Sequence, residues 1–172
     1  MSISLDALTV RTVVIGLGNT LMGDDGLGIA ALARLCEDWK LPPEVELVDG
    51  GTWGMNLLPL IEDAGRLILI DAVNVGAEPG ARVALERREL PRFFTIKVSP
   101  HQIDLRDVLA LAELRGTLPQ ATVVIGLQPD RVELSNELSD VLRCRLDELV
   151  ADVVRQLEAW GHRCVARTPV HA

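Results

Sequence analysis

The sequence is poor in the residues on which several broad classes of protein depend. Its 172 residues include no tyrosine and only 3% aromatic residues, so an aromatic platform for stacking the bases of single-stranded nucleic acid is not expected. The 17 Lys and Arg residues are outnumbered by 25 Asp and Glu, giving a net charge of −8. Surfaces that follow phosphates need clustered basic residues. We therefore expect neither nucleic acid nor an anionic membrane surface as a partner.

Long apolar runs and paired cysteine motifs are also missing from the sequence. No stretch reaches the roughly 18 consecutive apolar residues of a membrane-spanning helix, and residues 1–11 carry an acid instead of a basic segment followed by a long apolar run. We expect no secretory signal and a cytoplasmic location. Cys36, Cys144 and Cys164 form no CxxC pair, which predicts reduced thiols rather than a zinc site or a disulfide framework.

The 48% hydrophobic residues occur as short apolar runs that alternate with helical patterns, which is typical of a parallel sheet covered by helices. The predicted strands are residues 12–17, 44–48, 67–70, 82–86 and 122–127, of which 82–86 is expected near a sheet edge. The predicted helices are 24 to about 40, 55–61, 104–114 and 138–160. We predict one α/β domain over residues 1–172, a three-layer α/β/α sandwich with a mostly parallel, twisted sheet. Its core spans about 12–160, and residues 163–172 are expected to fray.

The first predicted helix has a clear apolar spacing. Its expected buried face consists of Ile29, Leu32, Leu35, Cys36 and Trp39. Two consecutive prolines, at positions 42 and 43, are expected to end the helix.

Polar residues gather where the predicted strands end, and ligands of open α/β sheets bind beyond the carboxyl ends of the strands. Asp24 and Asp25 follow the first strand, Asp71 follows the third, and His101 precedes a helix that can reach the same edge. Each has an ordinary structural interpretation as a helix cap, a turn residue or a packed imidazole. Their shared location instead favours Asp25, Asp71 and His101 as an oxygen and nitrogen ligand set for a divalent transition metal.

A nucleotide-binding fold is the competing interpretation of the first loop. Gly16 and Gly18 follow a strand, and Asp49 stands where an acid would contact a ribose. The third glycine of GxGxxG is replaced by Leu21, however, and two carboxylates occupy the place where a pyrophosphate would meet the helix. The sequence therefore favours a metal over a dinucleotide.

Four segments together resemble the hydrogenase maturation proteases, the endopeptidases that trim the large subunit of nickel–iron hydrogenases. The segments are Gly16-Leu17-Gly18-Asn19 continuing to Gly23-Asp24-Asp25-Gly26-Leu27-Gly28, then Asp49-Gly50-Gly51-Thr52, then Asp71-Ala72, then Ser99-Pro100-His101-Gln102. They occur in the family's order and spacing, and the resemblance covers about residues 12–160.

The resemblance implies an enzyme that removes a short C-terminal peptide from a nickel-loaded large-subunit precursor and uses that client's nickel as its recognition signal. By position, Asp25, Asp71 and His101 would contact the nickel, and Asp25 and Asp71 would be the catalytic carboxylates. Whether Asp24 or Asp25 faces inward is left open. The nickel comes from the client, so the resting site is expected to be empty or to hold another divalent ion.

The resemblance also implies a surface that grips the client. We expect this surface in the loops, formed by Leu21, Met22, Asp49, Gly50, Gly51, Thr52 and Trp53. The protein is expected to act as a monomer. The alternative function is a nickel-binding accessory or chaperone protein that uses the same three ligands without cleaving its partner.

Overall fold

The computed structural model describes residues 10–91 and 102–167, with side chains in the second range described from residue 105 onward. The strands are β1 (Thr12–Leu17), β2 (Trp39–Lys40), β3 (Val45–Gly51), β4 (Arg66–Ala72), β5 (Arg82–Glu86), β6 (Ala121–Leu127) and β7 (Val165–Ala166). The α-helices are α1 (Leu27–Asp38), α2 (Leu58–Asp63), α3 (Gln102–Leu114) and α4 (Asp140–Ala159). Short 3₁₀ turns lie at Gly23–Gly26, Gly54–Leu57 and Arg87–Glu89.

A five-stranded sheet with the order β3-β1-β4-β6-β5 organises the chain. The first four of these strands pair in parallel, and β5 pairs antiparallel with β6 at one side of the sheet. The predicted mostly parallel sheet and the edge position of residues 82–86 are therefore confirmed. Because β3, β1, β4 and β6 run in the same direction, their last residues meet at one edge, which we call the carboxyl edge.

Two apolar cores lie on opposite faces of the sheet. Val13 and Ile15 of β1 pack with α2 and α3, whereas Val14 packs on the other face with α1 and α4. Strand β4 divides its side chains between the two faces in the same way. Strands buried on both faces have no need for polar positions, which explains the unbroken apolar runs in β1, β4 and β6. The predicted three-layer α/β/α sandwich is confirmed.

The predicted buried face of the first helix is partly wrong. The buried residues of α1 are Leu27, Gly28, Ala31, Leu32 and Leu35. Cys36 is exposed, Ile29 is only half-buried, and Trp39 lies beyond the end of the helix in extended β2. The helix ends at Asp38, ahead of the two prolines. Its rotation is set by Gly28, because a Cβ there would lie 2.2 Å from the Ile70 carbonyl oxygen.

The prediction that the chain frays from residue 163 is wrong for the part that the structure describes. Val165 pairs with Lys40 in a short antiparallel β2–β7 ladder, and the Arg167 N–H donates to the Asp38 carbonyl oxygen at 2.7 Å. His162 is buried, with Nε2 at 2.8 Å from Thr12 Oγ1. Because residues 163–167 are held by residues far away in the chain, their own sequence shows no periodicity from which this ordered segment could be predicted. Residues 168–172 lie outside the described residues.

The cysteines are free thiols in this fold. Cys36 and Cys144 are exposed, whereas Cys164 is half-buried. Burial, together with the nearby charge of Glu158, raises the pKa of the Cys164 thiol, which disfavours its thiolate. Among the helices that the structure describes, none has the length and apolar character to cross a membrane.

Because α1 contacts the sheet at Gly28, replacing this glycine with Ala should destabilise the protein, although the same substitution stabilises an ordinary helix. In an ordinary helix, replacing Gly with Ala stabilises by about 1 kcal/mol. For Gly28→Ala we expect a loss of about 1–3 kcal/mol, because the added Cβ would lie 2.4 Å from the Leu17 N and clash with backbone that cannot move aside. Urea unfolding measures the difference. A variant as stable as the wild-type protein would show that α1 does not lie this close to β1 and β4.

Candidate functional site

A small cavity at the carboxyl edge brings two predicted site residues together. Asp25 and Asp71 both line it, and their residues are only 2% and 1% exposed. The other lining residues are Leu17, Gly18, Gly51, Thr52, Gly54, Leu57 and Leu105. The enclosed space suits roughly a single water molecule or ion. Two carboxylates in one small, largely apolar cavity form an arrangement that attracts positive charge.

Asp25 is placed by the 3₁₀ turn that joins β1 to α1. Its Oδ2 accepts a hydrogen bond from the Asn19 N–H at 2.9 Å. Gly18 lets the loop fold back on this turn, because its φ is +114° and a Cβ there would lie 1.7 Å from the Asp25 carbonyl oxygen. The local backbone therefore fixes the direction of the Asp25 carboxylate.

Asp71 reaches the same cavity from the centre of the sheet. It is the penultimate residue of β4, which lies between β1 and β6, and its backbone is opposite Gly126. Its Oδ1 accepts a hydrogen bond from the Ala72 N–H at 2.8 Å. Because β4 is hydrogen-bonded on both sides, this acid is held by the most constrained part of the sheet.

Asp24 has a different role from its neighbour Asp25. Its side chain is fully buried and accepts three backbone hydrogen bonds from the loop between β6 and α4. Oδ2 accepts from the N–H groups of Asp130 (2.9 Å) and Arg131 (3.0 Å), and Oδ1 accepts from that of Ser139 (2.7 Å). Asp25, and not Asp24, lines the cavity that contains Asp71. The sequence left this alternative open, and the geometry assigns the cavity position to Asp25.

Sequence reasoning missed this role of Asp24. A helix cap was the ordinary interpretation, but the N-cap residue of α1 is Gly26 and no side chain caps it. The hydrogen-bond partners of Asp24 are more than a hundred positions away, so no local spacing reveals them. The only indication in the sequence was that two acids are adjacent. Neighbouring side chains in a tight turn point in different directions, so the two carboxylates could not both enter the same cavity.

Gln128 is a second buried polar residue to which the sequence assigned no role. Its Oε1 accepts from the N–H groups of Val75 (2.8 Å) and Ala77 (3.2 Å), and its Nε2 donates to Asn74 Oδ1 (3.1 Å). These partners belong to the loop that follows Asp71. Gln128 therefore holds that loop against the end of β6.

In the segment Asp49-Gly50-Gly51-Thr52, the first three residues are the end of β3 and Thr52 begins the turn that follows. Gly16 pairs with Asp49 and Leu17 with Gly51, so Gly50 is the extra residue of a bulge. A Cβ on Gly50 would lie 2.5 Å from Ile15 Cγ2, so the close approach requires glycine. The bulge directs Gly51 and Thr52 towards the acidic cavity.

The predicted client-binding residues form the outer rim of this region. Leu21, Thr52 and Trp53 are exposed, with Trp53 at 59%, whereas Met22 is half-buried. Asp49 is exposed as well and lines a shallow adjoining pocket with Asn19, Thr20 and Trp53. Gly50 is buried beneath β1 and offers no surface of its own.

The third predicted metal ligand, His101, lies outside the described residues. Within residues 10–91 and 105–167, no group of three or more His, Cys, Asp and Glu side chains is arranged to hold a metal ion. The structure therefore brings together Asp25 and Asp71, and the participation of His101 stays a prediction.

Comparison with known proteins places this geometry in one family. A family model described as hydrogenase maturation protease matches residues 29–156. The chain is 40% identical over 153 residues to the hydrogenase expression/formation protein HupD of Rhodobacter capsulatus, covering 88% of this chain and 73% of that protein. It is 32% identical over 163 residues to the hydrogenase 2 maturation protease of Escherichia coli K12, covering 94% of this chain and 99% of that protein.

Solved structures agree with the sequence comparison. The hydrogenase maturating endopeptidase HybD from E. coli superposes with a TM-score of 0.86 at 32% identity, covering 91% of this chain and 98% of that one. The [NiFe] hydrogenase maturation protease HybD from Thermococcus kodakarensis superposes with a TM-score of 0.69 at 27% identity, covering 84% and 97%.

The contrast between the two adjacent acids leads to a prediction about stability. In Asp24→Asn, one oxygen acceptor becomes an NH₂ group, so at least one buried backbone N–H loses its acceptor, and we expect a loss of about 2 kcal/mol. In Asp25→Asn, only the hydrogen bond from the Asn19 N–H is at risk, and a charge is removed from beside Asp71. Its stability should therefore stay within about 0.5 kcal/mol of wild type or rise.

Thermal and urea unfolding of the two metal-free variants measure this difference. Equal losses for Asp24→Asn and Asp25→Asn would contradict the division of roles between the two carboxylates.

Proposed function

The chain belongs to the hydrogenase maturation protease family, and we propose that it trims the nickel-loaded large-subunit precursor of a nickel–iron hydrogenase at the cavity of Asp25 and Asp71. Membership of this family makes the chain an endopeptidase of the hydrolase class. The alternative of an accessory or chaperone protein without proteolytic activity is not favoured by these relatives, and neither is a nucleotide-binding function.

The observation that carries the proposal is the shared burial of Asp25 and Asp71 in one cavity. Two ionised carboxylates buried in a space of this size repel each other, and the repulsion is relieved by a cation between them or by protonation of one of them. Carboxylate oxygens, joined by the imidazole that His101 would supply, suit a divalent transition metal with open coordination positions. The donor set and the size of the cavity therefore fit a single nickel ion.

The nickel in this proposal belongs to the client and is part of the substrate. Two carboxylates and one neutral imidazole include no thiolate, so they bind free nickel only modestly. Cysteines of the precursor complete the coordination, and the protease recognises a client that has already been loaded. The isolated protein then carries either no metal or whatever divalent ion is abundant.

This arrangement differs from the carboxylate dyad of pepsin-like proteases. Such a dyad shares one proton between adjacent carboxyl groups, whereas in this proposal the two acids would bind a cation between them. Two routes of water activation fit the cavity, activation by the client's nickel and direct acceptance of the water proton by Asp25 or Asp71. In both routes the sheet holds the carboxylates beside the bond that is cleaved.

The exposed ring of Trp53 predicts a contact with the precursor. Trp53 lies in the turn after β3, beside the acidic cavity, and large aromatic side chains are enriched at protein interfaces. Trp53→Ala should weaken binding of the nickel-loaded precursor while leaving the melting temperature nearly unchanged, and Trp53→Phe should keep most of the affinity. Titration calorimetry and thermal melts measure the two effects. A large loss of melting temperature would show that Trp53 supports the fold instead.

The proposed function is tested by trimming of the precursor from the same organism's nickel–iron hydrogenase. Intact-mass measurement should show loss of a short C-terminal peptide from the nickel-loaded precursor and no loss from the nickel-free form. Asp25→Asn, Asp71→Asn and His101→Ala should abolish trimming without unfolding the protease. Trimming should also weaken in mild acid, because a ligand imidazole must be neutral.

Efficient trimming of the nickel-free precursor by the wild-type protein, or full activity of Asp25→Asn, would overturn the proposal. A precursor that is bound tightly but never shortened would instead support the accessory-protein alternative.

A further inference from the structure

The loop of residues 130–138, between β6 and α4, combines a fixed backbone with an exposed apolar side chain. Leu134 in this loop is 86% exposed, and Val132 is exposed beside it. Single exposed apolar residues are common on protein surfaces and need no explanation. Leu134 differs from such residues because its loop is bonded to the segment that carries Asp25.

Two hydrogen bonds, from the N–H groups of Asp130 and Arg131, tie the loop to the side chain of Asp24, and a third, from the Ser139 N–H, holds the residue that follows the loop. Three more join its backbone to the first loop. The Gly23 N–H donates to the Ser135 carbonyl oxygen at 2.8 Å, the Ser135 N–H donates to the Leu21 carbonyl oxygen at 3.0 Å, and the Asp24 N–H donates to the Arg131 carbonyl oxygen at 3.2 Å. The loop is therefore bonded to the segment that carries Asp25.

Close packing strengthens this attachment. A Cβ on Gly23 would lie 3.3 Å from the Arg131 carbonyl oxygen and 3.4 Å from that of Glu133. Gly23 also has a φ of +60°, which favours glycine. The loop backbone and the turn before Asp25 thus touch directly, with no side chain between them.

These bonds place Leu134 next to Leu21. Ser135 pairs with Leu21 through its N–H, and Met22 and Ser135 form an isolated parallel bridge. Leu21 belongs to the rim that we expect to contact the client, so Leu134 extends that rim across the end of β6. Leu21 and Leu134 are both exposed, at 61% and 86%.

We propose that residues 130–138 form a docking surface for the large-subunit precursor, with Leu134 as its apolar anchor. This inference rests on the proposed function and assigns it a second contact surface in addition to Trp53. The partner is an apolar patch on the precursor beside the segment that enters the cavity. Because Asp24 and Gly23 already hold the loop, docking loses little conformational entropy.

The same bonds connect the loop to the cavity through Asp24. Its carboxylate fixes the loop that presents Leu134, and its backbone is joined to Asp25, which lines the cavity. A client that seats on Leu134 is therefore held at a set distance from the two cavity carboxylates.

Leu114 supplies a matched control for the test. It is 85% exposed, nearly the same as Leu134, but it is the last residue of α3. Leu105 of the same helix lines the acidic cavity, so Leu114 lies ~13 Å further along the helix axis at 1.5 Å per residue. Leu114→Ser makes the same chemical change as Leu134→Ser, away from the carboxyl edge.

The experiment measures trimming kinetics and direct binding with the nickel-loaded precursor for wild type, Leu134→Ser, Leu134→Met and Leu114→Ser. We expect Leu134→Ser to raise KM and Kd about tenfold with kcat within about twofold, because it removes binding common to the ground and transition states. Leu134→Met and Leu114→Ser should stay close to wild type. Unchanged melting temperatures would show that the variants are folded.

The outcomes separate this inference from the proposed function. Equal KM and Kd values for Leu134→Ser and Leu114→Ser, with normal wild-type trimming, would overturn the docking surface and leave the proposed function intact. No trimming by wild type would overturn the proposed function, while the binding titration would still test the surface. Sedimentation tests whether the wild-type protein self-associates. If it does, and if Leu134→Ser prevents this self-association without changing Kd for the precursor, the surface binds a second copy of this chain and the inference is wrong.

Discussion

The site depends on the contact between bare backbone at the start of α1 and the backbone of β1 and β4. Gly16 and Gly28 face each other so closely that a Cβ on Gly16 would lie 2.4 Å from the Gly28 carbonyl oxygen. This contact fixes both the depth and the rotation of α1, and therefore the position of the 3₁₀ turn that precedes it. Asp25 reaches the cavity beside Asp71 because the helix after it cannot move away from the sheet.

The turn before α1 carries two adjacent acids, Asp24 and Asp25, that have different roles. Buried carboxylates are costly unless hydrogen bonds or opposite charges compensate them. For Asp24 the protein itself supplies this compensation through three backbone N–H groups of the β6–α4 region. Asp25 instead lies with Asp71 in a space that fits one ion. One acid thus stabilises the turn that holds the other in the cavity beside Asp71.

The parts of the fold that follow from local pattern were predictable from the sequence. The run TVVIGL in residues 12–17 indicated a strand buried on both faces, and the structure has this strand as β1. The edge strand at residues 82–86 and the helix at residues 104–114 also followed from their spacing. In each case the burial of a residue depends mostly on its neighbours along the chain, which the pattern records.

The errors and omissions share one physical cause, which is dependence on distant contacts. The rotation of α1 is set by the Gly28 approach to Ile70, the β7 strand exists because Trp39 and Lys40 offer a partner, and Asp24 bonds to residues beyond position 129. The exposed Leu134 was also overlooked, because a loop residue has no periodicity. The motifs located Asp25 and Asp71 correctly at one edge of the sheet, but spacing alone did not distinguish Asp25 from Asp24.

The carboxyl edge behaves as one rigid rim because buried polar side chains join its loops. Asp24 ties the loop after β1 to the loop after β6, and Gln128 ties the end of β6 to the loop after β4. The bulge at Gly50 adds the end of β3, since it brings Gly51 and Thr52 to the same cavity as Asp25 and Asp71. Loops that are joined in this way keep their exposed side chains at fixed separations. The two carboxylates therefore lie in a cavity whose surrounding loops hold one another in place.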